Sequence, residues 1–143
     1  SLNDFFETTE WAVQRYPSLR VQMPNNVSVF EFHRDSTYNH PLGEINHFLA
    51  ITDCKDTSAL QIEKNLGWGN YFPLNLKAKE SAIINTSIFE HGDLKNNTNL
   101  TRISIDFRFI PITVLENSIA KESISSKRKL DTTQYFIKST DLD

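Results

Sequence analysis

The chain has 143 residues, 38% of them hydrophobic and 11% aromatic, which suffices for one globular core. A net charge of −3 and a pI near 5.8 supply no basic field for nucleic acid, and the dense basic run is confined to Lys127-Arg128-Lys129. Apolar runs fall short of the ~18 residues a membrane span needs, and a single cysteine, Cys54, excludes an internal disulfide; a reducing, cytoplasmic setting with no membrane partner is the expectation.

The chain opens on Ser1 rather than Met, as a fragment or processed chain would. Leu2, Phe5, Phe6, Val13 and Tyr16 fall near helical spacing and Pro17 is a stop, so a helix is predicted over 2–16 within a lead-in of residues 1–26. Strands are predicted over 19–23 and, after the turn signal Pro24-Asn25-Asn26, over 27–33. Ser36 to Glu44 is polar and turn-rich and reads as a loop over a site. Ile45 to Ile51 is a strand with Asn46, Phe48 and Ala50 on one face, and further strands are predicted at 58–62, 74–76 and 82–89.

Asn96 to Asn99 has turn chemistry and reverses the chain into a strand over 100–110. Here Ile103, Ile105, Phe107 and Phe109 alternate with Arg102, Ser104, Asp106 and Arg108. An interior face with two arginines is costly unless carboxylates pair with them, which argues for a site. Beyond Pro111, residues 115–130 have the composition of a helix and 134–138 of an edge strand. Many short strands separated by turns describe an all-β sandwich or barrel, with a core over 27–111 and a C-terminal extension over 112–143.

His33 and Asp35 are two residues apart, so on an extended backbone both side chains leave from one face. His91, from a distant strand, would complete two imidazoles and one carboxylate, a facial set that suits non-heme Fe(II). Eleven residues beyond it, Arg102 offers a planar fork for a carboxylate, with Ser104 on the same strand face. That is provision for an organic acid co-substrate. Asn46 is a further candidate contact to such an acid. Each residue alone is ordinarily structural; their order and combination carry the signal.

Taken together, His33-Arg34-Asp35, the run Ile45 to Ile51, Ile84 to Phe89 leading into His91-Gly92, and Arg102-Ile103-Ser104 resemble the Fe(II)- and 2-oxoglutarate-dependent oxygenases related to phytanoyl-CoA hydroxylase. Tyr38 to Asn46 and Arg102 to Pro111 resemble the StrG-type proteins within that group. The resemblance spans about residues 27 to 111. It implies a double-stranded β-helix, a cupin-like jelly roll, with Fe(II) on His33, Asp35 and His91 and 2-oxoglutarate held by Arg102 and Ser104. The implied reaction is hydroxylation or desaturation of a small polar metabolite, by analogy a sugar or aminocyclitol.

Tyr38, His40 and Glu44 imitate part of a cupin metal motif, with Tyr38 where its first histidine would stand; they read as substrate-facing or loop-ordering groups. Trp68 and its aromatic neighbours either line a substrate pocket or anchor a loop. The rival function is a cupin-like metal- or sugar-binding protein or isomerase without 2-oxoglutarate. An open sheet edge and apolar outer faces are compatible with a homodimer.

Overall fold

A computed structural model describes residues 10–27, 31–119 and 121–142. Nine strands are described: β1 (Trp11–Gln14), β2 (Ser18–Gln22), β3 (Ile45–Ala50), β4 (Gln61–Glu63), β5 (Tyr71–Pro73), β6 (Ser81–Ile84), β7 (His91–Gly92), β8 (Arg102–Pro111) and β9 (Phe136–Lys138). One short helix, α1 (Ile112–Glu116), follows β8. The strands form two antiparallel sheets, one ordered β6-β3-β8-β1-β9 with β2 also on β8, the other β5-β4-β7.

The ten-residue strand β8 is the spine of the larger sheet. Along one side it pairs with β3, from Ile45↔Phe109 to Ala50↔Ser104. Its other side is shared: β2 takes the first half, Gln22↔Arg102 to Ser18↔Asp106, and β1 takes the end, Val13↔Phe109 to Trp11↔Pro111. The expected alternation holds, with Arg102, Ser104, Asp106 and Arg108 buried and Ile103, Ile105 and Phe107 only half-buried. On β3, Asn46, Phe48 and Ala50 are buried on the matching face. Two sequence-matched strands thus turn polar groups toward the space between the sheets.

Two apolar clusters hold the fold. Ala12, Ile110, Ile112, Leu115, Leu130, Tyr135 and Phe136 form one, joining β1, the end of β8, α1 and β9. Phe48, Ala50, Cys54, Ala59, Ile62 and Ile84 form the other, joining β3, β4 and β6. At roughly 1.5–3 kcal/mol for each large side chain removed from water, these clusters are the main source of stability.

Two helix expectations are corrected. Most of the helix expected over 2–16 lies outside the described residues, but its described end, Trp11–Gln14, is a strand. β1 is flanked by β8 and β9, so Trp11, Ala12 and Gln14 are buried by sheet pairing, and that pairing overrides the helical spacing of Val13 and Tyr16. The helix expected over 115–130 is replaced by the single turn of α1 and an irregular strap, with one bridge between Glu122 and Lys129. The serines of the strap bond locally, Ser123 Oγ accepting from the Ser126 N–H, and Lys127 takes a left-handed φ of 57°. Both features compete with a helix. Of the strand expected over 27–33, Ser28 to Phe30 lie outside the described residues, and His33 pairs with His91 only as an isolated bridge.

Candidate metal centre

His33, Asp35 and His91 come together. Their potential ligand atoms lie within 4.8 Å of one another. Three separate devices bring them there. His33 and His91 exchange backbone hydrogen bonds at 3.0 Å in both directions, which sets their rings 4.5 Å apart. Asp35 begins a 3-10 turn whose N–H donates to the Thr86 carbonyl at 2.8 Å. Arg34 ties the same loop to the smaller sheet, donating to Glu63, Glu90 and the Ile88 carbonyl.

The polar atoms are sorted as a metal site requires. Asp35 Oδ2 accepts from Arg108 Nε at 2.8 Å and Thr86 Oγ1 at 2.7 Å. Asp35 Oδ1 faces the two histidines, 3.4 Å from His33 Nε2 and 3.5 Å from His91 Nε2. Each imidazole donates from Nδ1 to a backbone carbonyl, His33 to Glu31 at 2.7 Å and His91 to Phe89 at 3.1 Å. With the Nδ1 protons engaged there, Nε2 is the ring atom turned to the centre: protonated it donates to Asp35 Oδ1, and deprotonated it offers its lone pair to a metal. The donor set therefore fits a divalent transition metal at Asp35 Oδ1 and the two Nε2 atoms.

Electrostatics follow from the same contacts. Burial pushes against the Asp35 charge, but Arg108 and the hydrogen bonds from both histidines hold its carboxyl well below the usual range. Burial likewise disfavours the His33 imidazolium, yet Asp35 and the Glu31 carbonyl outweigh it and raise the pKa above the ordinary value. Arg108 is shared, with Nε also 3.1 Å from Glu44 Oε1 and Nη1 donating to Tyr135 Oη at 3.2 Å. Burial works against its charge and Asp35 more than restores it, so Arg108 stays cationic. Burial raises Glu44, opposed by His40 and Arg108.

The triad opens on a cavity of about 450 Å³ between the sheets. Tyr38, His40 and Asn46, all singled out in the sequence, line it. Asn46 Oδ1 is buried there without a hydrogen-bond partner. Glu44 stands behind the cavity, 1% exposed, with both oxygens on His40 Nδ1 at 2.8 and 3.0 Å. His40 Nε2 in turn meets Ser123 Oγ of the strap at 3.3 Å. Trp68 lies elsewhere, 77% exposed on a turn and outside the cavity lining. Cys54 is buried, and burial raises its thiol, in keeping with an inert side chain.

Arg102 is 1% exposed, and its fork grips an internal partner: Nη1 and Nη2 donate to the two Asp93 oxygens at 2.8 and 2.9 Å. Arg102 Nε and Ser104 Oγ are buried without hydrogen-bond partners. The requirement that interior arginines be paired is thus met from within, by Asp93 for Arg102 and by Asp35 and Glu44 for Arg108.

Sequence reasoning did not reach Thr86, Gly92, the Arg20–Asp106 pair beside the cavity, or the strap residues Ser125, Ser126 and Arg128 at its edge. Gly92 alone left a signal, as a glycine beside a ligand; a Cβ there would stand 2.9 Å from Phe32 Cγ. The others act through contacts distant in sequence.

This architecture is shared with non-heme monooxygenases. The nickel complex of ThoJ, described as a non-heme monooxygenase, superimposes with a TM-score of 0.61 at 16% identity, over 92% of this chain and 53% of that one. The apo form of ThoJ gives 0.61 at 14% identity, over 92% and 54%, and EvdMO1 gives 0.53 at 16%, over 68% and 27%. At such identities the likeness is one of fold. In sequence, the chain is similar to the streptomycin biosynthesis protein StrG of Streptomyces griseus, 29% identical over 99 residues, which is 69% of this chain and 46% of StrG. No protein-family model matches. The chain spans about half the length of ThoJ and less than half that of StrG. Among the described residues, no helix is long and apolar enough to cross a membrane.

Proposed function

We propose that the chain carries the metal centre of a non-heme Fe(II) oxygenase that uses 2-oxoglutarate to oxidise a small polar metabolite in a biosynthetic pathway. The observation that carries the reading is the division of labour at Asp35, with Oδ2 fixed by Arg108 and Thr86 and Oδ1 left between two Nε2 atoms. Two imidazoles and one carboxylate leave coordination positions for a co-substrate and oxygen. Bound iron would supply the activation of oxygen. We read the two sheets as the walls of a double-stranded β-helix, and the ThoJ likeness supports an oxygenase fold.

The chain's own residues hold and exclude. Arg108 and Thr86 orient the carboxylate; the Glu31 and Phe89 carbonyls orient the imidazoles. For the acid co-substrate, the unpartnered Arg102 Nε and Ser104 Oγ are two buried donors that an incoming carboxylate oxygen would satisfy. Tyr38, His40 and Asn46 line the cavity where a metabolite would lie, and Asn46 Oδ1 is a buried acceptor still without a hydrogen-bond partner. One observation favours a second reading, a metal-binding protein without 2-oxoglutarate chemistry: Asp93 already fills the end of the Arg102 fork.

Anaerobic titration of the protein with Fe(II) and then 2-oxoglutarate separates the two readings. A weak visible charge-transfer band, lost in His91→Ala and weakened in Arg102→Ala, is the expected result. Fe(II) binding without any band would overturn the first reading in favour of the second.

A further inference from the structure

The arginine to which the sequence assigns a co-substrate carboxylate already holds one. The Arg102–Asp93 pair has the bidentate geometry that the far end of a dicarboxylic acid would itself adopt, and its side chains are only 2% and 5% exposed. Arg102 Nη1 also donates to the Ser58 carbonyl at 3.1 Å. Asp93 lines the cavity two residues after His91, whereas Arg102 and Ser104 are buried and outside that lining, so Asp93 is the member of the pair that meets the cavity. Only the Nε edge remains, with Ser104 Oγ two residues along the same strand face.

We propose that Asp93 is a built-in competitor for Arg102, which weakens the grip of the pocket on the distal carboxylate of 2-oxoglutarate and sets the choice of 2-oxo acid. The inference rests on the 2-oxo acid reading given above. A ligand carboxylate that displaces Asp93 must first break its buried, bidentate ion pair with Arg102. One that binds the Nε edge with Asp93 in place puts two anions on one guanidinium. A monocarboxylic 2-oxo acid of the same length meets neither penalty, because its only carboxylate chelates the metal with the keto oxygen.

The test uses the whole chain loaded with Fe(II) without oxygen, titrated in parallel with 2-oxoglutarate and 2-oxopentanoate and read by the charge-transfer band. In the wild type the two acids are expected to bind within about threefold of each other. Asp93→Asn keeps the shape and removes the charge, and should tighten 2-oxoglutarate by about ten- to hundredfold, the worth of a charge-assisted bond, with 2-oxopentanoate unchanged. The wild-type comparison stands alone should the variant not fold. A wild-type preference for 2-oxoglutarate of about a hundredfold, or unchanged affinity in a folded Asp93→Asn, overturns the inference and leaves the 2-oxo acid reading intact. Absence of a band with both acids in both proteins overturns the two together.

Discussion

Substituting Gly92 tests whether the backbone beside His91 sets the metal geometry. A Cβ at Gly92 would lie 2.9 Å from Phe32 Cγ and 3.0 Å from both Phe32 Cα and Cδ2. Non-bonded carbon atoms ordinarily stand roughly 3.5–4.0 Å apart, so Phe32 must retreat by about 0.5–1 Å. The ring could rotate away, but the overlap with Cα can be relieved only by moving the backbone, and Phe32 immediately precedes His33. The bridge from His33 to His91 is made of two 3.0 Å hydrogen bonds, and it places both Nε2 atoms against Asp35 Oδ1. Gly92→Ala should therefore cost about 1–3 kcal/mol, as overpacking does, and lower the unfolding midpoint by roughly 3–10 °C. It should also weaken Ni(II) or Fe(II) binding by about tenfold or more, since sites tolerate only about 0.5 Å of misplacement. The control is Gly67→Ala, at φ 79° with nothing within 4 Å of the added Cβ, which should lose a little stability and no metal affinity. Calorimetric metal titration and thermal unfolding of both variants read the outcome. Wild-type affinity in Gly92→Ala, or an equal loss in Gly67→Ala, would refute the reasoning.

Thr86→Val preserves shape and deletes the hydroxyl that donates to Asp35 Oδ2 at 2.7 Å; metal affinity should fall by about ten- to a hundredfold, and an unchanged titration would dismiss Thr86 as an orienting group. Arg108→Met strands the Asp35 and Glu44 carboxylates without their shared cation and should cost about 3–5 kcal/mol in denaturant unfolding. Adding Glu44→Gln to that variant should recover part of the loss, whereas strict additivity of the two changes would argue against sharing. For the metal-free protein, the raised His33 pKa means that the folded state binds this proton more tightly than the unfolded chain. Its stabilising contribution is then complete below pH 6.5 and fades as pH climbs through the higher folded value. An NMR titration of the His33 ring should place the midpoint above 6.5 in the wild type and lower in Asp35→Asn; a wild-type midpoint at or below 6.5 contradicts the contact.

What the sequence disclosed, and what it concealed, divides along a physical line. The strands β3 and β8 were legible because a period of two in side-chain type maps directly onto two faces, and burial enforces it. That His33, Asp35 and His91 come together was legible because few side-chain types are metal ligands and their order along the chain was informative. Trp11–Gln14 was misread because its burial comes from neighbours almost a hundred or more residues away, and short apolar segments do not announce their partners. The strap over 121–130 was misread for a related reason: its serines bond to one another and to His40 rather than continuing a helix.

The same line runs through the two interior arginines. Their alternation on β8 announced that carboxylates must come to meet them, but not which ones. Asp93 lies nine positions before Arg102, and Asp35 lies 73 before Arg108, so neither pairing has a periodic signature. The identity of each partner decides what each arginine can do. Arg108, bound to the outward oxygen of a metal-ligand candidate, is an orienting group whose removal should be felt at the metal. Arg102, bound end-on by Asp93, keeps only one edge of its guanidinium in reserve. A residue type at the right spacing from a metal ligand therefore states a capacity, and the charge already seated on it determines how much of that capacity a ligand can use.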